Sequence, residues 1–310
     1  MGRGKSPRSV ELIRAAWDIL NAIHPASVRA VCYQLFMRKL IASMAKSETN
    51  RVSTQLRDAR ESGFIPWSWI VDETREAERV NAWENPAHYV ESVKRGYRRD
   101  RWTDQPERVE VWSEKGTVRG TLAPVLHTYG VTFRVMHGYG SATAVHDVAE
   151  DSLRGDELLT VLYVGDWDPS GLHMSEIDLP ERIERYGGDV AIERVALTAA
   201  HVKTSDLPSF QADEKRRDPR YGWFVRRYGR RCWELDALNP VELRAAVEAA
   251  IRSRLDVSAW QRAEVAELDS LMSILNTWRG ISRHAQKYNE GDAPSQSKPD
   301  PEPELPEPPL

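Results

Sequence analysis

Residues 161–171 read VLYVGDWDPSG. An apolar run stops at two carboxylates, Asp166 and Asp168, and the chain then turns on Pro169 and Gly171. Such a run, bounded by turn residues, predicts a buried strand. Two anions this close at a strand end repel each other, so a metal ion, a hydrogen-bonded turn or water must offset the cost. Working outward, VEVWS, VTFRVMHG and DVAIERVAL are further short runs of strand character. Between them lie the helical stretches GTVRGTLAPVLHTY, SATAVHDVAEDSL and GLHMSEIDLPERIERYG. This alternation predicts βαβ units, hence an α/β domain with a mainly parallel sheet over residues 107–200. In such sheets functional groups collect at the C-terminal ends of the strands, and Glu114, Asp166 and Asp168 all fall there.

The remaining chain sorts by composition. Of 310 residues, 41% are hydrophobic and 29% charged, and the mean hydropathy is -0.56. No apolar run approaches the roughly 18 residues a membrane span needs, and none follows the basic N-terminus as a signal peptide requires. Cys32 and Cys232 stand alone, which excludes a disulfide scaffold and a four-cysteine zinc site and suits a reducing cytosol. The net charge of -4 conceals a basic N-terminal third and an acidic, proline-rich tail at 290–310, which is expected to be disordered.

Residues 1–75 read as three helices and a β element. VELIRAAWDILNAI has helical spacing and ends at His24-Pro25, Ser27 is placed to cap VRAVCYQLFMRKL, and Ser47 and Glu48 open a third helix that Gly63 follows. The aromatic stretch FIPWSWIV then suits a β wing. That order outlines a winged helix-turn-helix, with Arg51, Arg57 and Arg60 on its last helix as phosphate contacts. Residues 76–106 read as a basic connector. Residues 201–289 hold a basic and aromatic segment, including Arg216 and Arg217, followed by helices; basic residues among aromatics suit nucleic acid. Residues 138–141 are glycine-rich and suit either a phosphate cradle or a tight turn. His137, His146 and His173 show no metal-ligand spacing.

From the residues alone, the acid trio divides between two readings. Three carboxylates without cysteine favour a hard cation such as Mg²⁺. Equally, one aspartate caps the next helix while Glu114 is solvated.

The combination WSEKGT, HGYG and GDWDPSG resembles the Toprim domain of the topoisomerase VI A subunit and its relative, the meiotic double-strand-break transesterase. The resemblance spans roughly residues 10–75 and 107–200. It implies that Glu114, Asp166 and Asp168 bind Mg²⁺, or Mn²⁺ in its place, with Glu114 also assisting proton transfer and Lys115 facing DNA. In that family a winged-helix domain precedes the Toprim domain and carries a nucleophilic tyrosine four residues after an arginine. SVRAVCYQLF places Arg29 and Tyr33 there, with Cys32 where the family typically has another tyrosine. On the helix, Tyr33 is expected at the rim of the apolar stripe beside Arg29, which would favour its ionised form.

The implied activity is Mg²⁺-dependent cleavage of double-stranded DNA, with Tyr33 attacking a phosphodiester and Arg29 orienting it. A homodimer would pair one subunit's tyrosine with the other's metal. Because no GxxxxGK[ST] loop is present, strand passage would need a separate ATPase. The setting expected is cytoplasmic and nucleoid-associated. Two alternatives stand beside this one: a hydrolytic nuclease using water, and a DNA-binding protein without catalysis.

Overall fold

A computed structural model describes residues 6–71, 80–136, 142–155, 157–204 and 206–291. The glycine-rich stretch 138–141, His137 and the tail beyond residue 291 lie outside the described residues. Residues up to 71 and from 100 to 260 form one compact unit, and residues 80–99 with 261–291 form another.

The chain opens with three helices. Helix α1 (Pro7–Ile23) is capped by Ser6, whose Oγ accepts the Ser9 N–H at 3.2 Å, and it stops before His24-Pro25 as expected. Helix α2 (Val28–Met37) is capped by Ser27, which accepts the Ala30 N–H at 3.1 Å. Helix α3 (Lys46–Glu61) starts one residue earlier than expected, behind Ala45 and without a side-chain cap, while Glu48 pairs with Arg51 at 2.7 Å instead. Gly63, at φ 75°, lets the chain leave the helix. The three share a core that includes Ile19, Leu20, Val31, Leu35, Val52 and Leu56.

The expected β wing at 64–71 does not form. Pro66 has no N–H to donate, and Trp67–Trp69 close a 3₁₀ turn behind it. Only Ile70 then reaches Ala26, as a one-residue parallel bridge. The stretch read as a basic connector, 76–106, contains a helix. Helix α4 (Pro86–Gly96) forms there because Asn85 accepts the His88 N–H at 3.0 Å and Pro86 occupies the first turn.

The sheet follows the βαβ expectation. Strands β1 (Glu107–Ser113), β2 (Thr132–Val135), β3 (Leu158–Val164) and β4 (Val190–Arg194) are all parallel, in the order β2-β1-β3-β4. Side chains alternate by face. Val109, Val111, Leu162 and Val164 pack towards α5 (Val118–Tyr129), whereas Trp112, Val161 and Tyr163 pack towards α6 (Ala142–Ser152). After β3 come α7 (Pro169–His173), a π turn (Met174–Asp178) and α8 (Leu179–Arg185). After β4 come α9 (Ala199–Thr204), a two-residue antiparallel pair of β5 (Phe210–Gln211) and β6 (Arg231–Cys232) enclosing α10 (Tyr221–Tyr228), and α11 (Pro240–Arg252).

Arg244 on α11 ties the end of α1 to α5. Its guanidinium donates to the carbonyls of Ile23 (3.0 Å), Pro25 (3.3 Å) and Thr121 (3.3 Å). In the other unit, α4 is accompanied by most of α12 (Val257–Gly291), and the Arg99 N–H donates to Glu267 at 3.0 Å. No helix of the described residues is long and apolar enough to cross a membrane.

Candidate functional site: the carboxylate edge and its cleft

Ser113 stands opposite Val164 in the register, so the next residues of both strands, Glu114 and then Gly165-Asp166, emerge at the same sheet edge. Asp166 and Asp168 are 5% and 1% exposed, and a carboxylate so deeply buried needs partners. Asp166 Oδ1 accepts the Lys115 ammonium at 2.9 Å and the Leu235 N–H at 2.8 Å. Asp168 Oδ1 caps α7 by accepting the Gly171 N–H at 2.7 Å, while Oδ2 meets the Lys215 ammonium. The helix cap expected of one aspartate is made by Asp168, two lysines balance the pair, and Glu114 is partly buried rather than solvated.

The turn itself is fixed from three sides. A Cβ at Gly171 would lie 2.4 Å from the Asp166 carbonyl oxygen, so only glycine fits this approach. Arg194, from the end of β4, donates to the carbonyls of Gly165 (2.8 Å), Asp166 (3.3 Å) and Gly171 (2.9 Å) and to Ser175 Oγ (3.1 Å). Trp167 exchanges two backbone hydrogen bonds with Trp233, at 2.9 and 3.0 Å. That bridge delivers Leu235 and Asp236 to the site.

Glu114 is the acid whose environment disfavours charge. Burial, with Asp166 and Asp168 nearby, pushes its carboxyl up to about 6, against the opposing pull of Lys115 and Lys215. Lys115, expected to face DNA, lines the cleft beside this edge and bridges Asp166 and Asp236, the latter at 3.1 Å; burial works against its charge, but the two carboxylates outweigh it and raise its pKa.

A cleft of about 670 Å³ opens beside this edge, lined by Arg29 of α2, Arg57 and Arg60 of α3, and Lys115, Asp166 and Asp236. Arg57 and Arg60, expected from the sequence as phosphate contacts, both line this cleft. Arg51 is instead partly buried against Glu48, its side chain 32% exposed. Arg29 is committed to Glu234, its Nε at 2.6 Å, and lies 5.8 Å from the Tyr33 ring centroid. Tyr33 does not reach solvent as expected. It is 6% exposed, and burial together with Glu234 raises its pKa against the weaker pull of Arg29. Cys32 is fully buried, its thiol pushed up to about 11. Arg216 and Arg217 are exposed, immediately after the turn that carries Lys215.

Glu114, Asp166 and Asp168 offer only carboxylate oxygens, the donor type a hard divalent cation takes, but their ligand atoms do not all lie within 4.8 Å of one another. Lys215 occupies one position such an ion would take on Asp168. Among the described residues, the one trio whose ligand atoms lie within 4.8 Å of one another is His146, Asp147 and Glu150, all exposed on α6; sequence reading saw no metal-ligand spacing at His146. His173 meets the edge of Trp223 at 5.2 Å between ring centroids.

Sequence reading missed Lys215, Arg194, Glu234 and Asp236. DEKRR signalled basic surface, and ELDALNP signalled only the cap of α11, because partners from distant segments leave no local pattern.

No protein-family model matches the chain, and no curated protein is significantly similar to it.

Proposed function

We propose that the chain is a Mg²⁺-dependent enzyme that cleaves DNA strands, with an N-terminal winged-helix-like domain and a Toprim domain of the topoisomerase VI A type. The observation that carries this reading is the placement of Glu114, Asp166 and Asp168 at one edge of adjacent parallel strands, beside a cleft lined by Arg57 and Arg60. Mg²⁺ or Mn²⁺ held by these carboxylates would supply Lewis-acid stabilisation to a phosphodiester. Arg57 and Arg60 hold the DNA backbone. Arg194 fixes the turn, and Lys115 and Lys215 balance its charge when no cation is bound. Glu114, with its carboxyl near 6, is suited to proton transfer close to neutral pH.

Water serves as nucleophile in the reading the geometry favours, since Tyr33 is buried and its ionisation disfavoured. A second reading keeps Tyr33 as nucleophile and Arg29 as its phosphate guide, supported by the 5.8 Å between the Tyr33 ring and Arg29, which lines the cleft. It requires α2 to present the phenol when DNA binds, within a homodimer served by a separate ATPase.

Supercoiled plasmid incubated with protein and Mg²⁺ or Mn²⁺, then run with and without protease, tests both. Metal-dependent nicking or linearisation without an adduct supports hydrolysis, and a protease-sensitive adduct supports Tyr33. An intact plasmid under every condition contradicts the proposal.

A further inference from the structure

The 3₁₀ turn Trp67–Trp69 holds two indoles in opposite situations. Trp69 is packed: its ring stacks on His24 at 4.7 Å and 7° between planes, and it lies 5.7 Å from Trp17. Trp67 is 59% exposed. It is nevertheless held in place, because the Arg60 guanidinium lies 4.2 Å from its ring centroid and Arg60 Nη2 donates to the Trp67 carbonyl at 3.3 Å. Arg60, against the indole, also lines the cleft. Phe64, in the same segment, is 47% exposed.

We infer that Trp67 is a stacking platform for an unpaired base, and that the preferred DNA carries a single-stranded segment next to the site. This rests on the DNA-cleaving reading and narrows its substrate class. The argument is one of surfaces and charge. Exposing a large aromatic ring forgoes burial that a folded chain otherwise gains. A ring pinned by an arginine offers a preorganised flat surface, which suits a base and loses little freedom on contact. Arg60 against the ring, and Arg57 on the same cleft wall although paired with Asp58 at 2.9 Å, supply charge for the adjoining phosphates. Within an intact duplex, base faces are covered by their neighbours, so an indole at the surface meets one only where pairing is broken. Stacking is indifferent to the sugar, so DNA and RNA single strands share the chemistry.

The test measures anisotropy of labelled oligo(dT), oligo(rU) and a blunt duplex of equal length, with the full-length protein and its Trp67→Ala and Trp67→Phe variants. Trp67→Ala should weaken oligo(dT) binding by about 5- to 100-fold and change duplex binding less than about twofold, and Trp67→Phe should restore most of the loss. Oligo(rU) tracking oligo(dT) identifies the bare base as the ligand, and oligo(rU) binding alone overturns the assignment to DNA. Equal losses on single strand and duplex, or none on either, overturn the stacking role while leaving DNA binding intact. A change of sedimentation coefficient in Trp67→Ala, with single-strand affinity unaltered, assigns the ring to a subunit contact and also overturns it. Absence of binding to any nucleic acid overturns this inference and the DNA-cleaving reading together.

Discussion

The turn after β3 and the helix α2 both bury ionisable side chains, and they treat them in opposite ways. At the turn, Asp166 and Asp168 each receive a lysine and a backbone N–H, and Arg194 binds the carbonyls around them. In α2, Cys32 lies in the helical core while Tyr33 lies beside Arg29 and Glu234, and burial raises both pKa values. A buried anion that is given a close cation and a backbone N–H is stabilised. A buried phenol or thiol whose desolvation outweighs the pull of one nearby arginine is held neutral. This contrast is why the acidic turn stands at the centre of the proposed chemistry and Tyr33 at its margin.

The largest effect expected is on catalysis at the turn. Asp168→Asn keeps a cap of comparable strength, since asparagine accepts the same N–H, yet it removes a charge of the proposed metal site. Plasmid cleavage should fall by roughly 100-fold or more, beyond the loss of stability expected because Lys215 loses its carboxylate partner. Retained cleavage would break the assignment of the turn.

Next in size are changes to the scaffold of the turn. Arg194→Met leaves three carbonyls and the Ser175 hydroxyl without their donor, and denaturant unfolding should show a loss on the order of 3 kcal/mol. Arg194→Lys should recover only part of that, because an ammonium cannot reproduce the fork. Gly171→Ala should cost about 1 to 3 kcal/mol, since the Asp166 carbonyl must move away from the new Cβ.

A smaller effect concerns Glu114. Its folded pKa of about 6 lies above its ordinary value of 4.5, so its contribution to stability is full below pH 4.5 and is lost as pH rises through 6. Glu114→Gln should therefore stabilise the metal-free protein at pH 7.5, by up to about 2 kcal/mol, and leave it unchanged at pH 4. Chemical unfolding at the two pH values, with chelator present, checks the sign.

The smallest change is expected at Tyr33. Tyr33→Phe should keep cleavage within about threefold of the original protein, because a buried neutral phenol contributes packing that Phe reproduces. A loss beyond about 100-fold together with a protein–DNA adduct in the parent would restore the transesterase reading.

Much of this architecture can be read from local pattern. The apolar runs at β1 and β3, the caps at Ser27 and Asn239, and the breaks at Pro25 and Gly63 are neighbours in sequence and act over a few residues. The placement of Glu114 beside Asp166 follows from parallel pairing alone. What local pattern missed depends on distance along the chain. Lys215 lies 47 residues from Asp168, and Glu234 lies 205 from Arg29. The β wing failed for a different reason: the aromatic content of FIPWSWIV suggests a strand, but Pro66 and the inward turn of Trp69 select a 3₁₀ turn.

The central claim is that the edge formed by Glu114, Asp166 and Asp168 is a divalent-cation site. Calorimetric titration of Mn²⁺ into the protein and into Asp166→Asn and Asp168→Asn tests it most directly. One site per chain is predicted, weakened at least about tenfold in each variant. Absence of binding to the parent protein, or equal binding by all three, would contradict it.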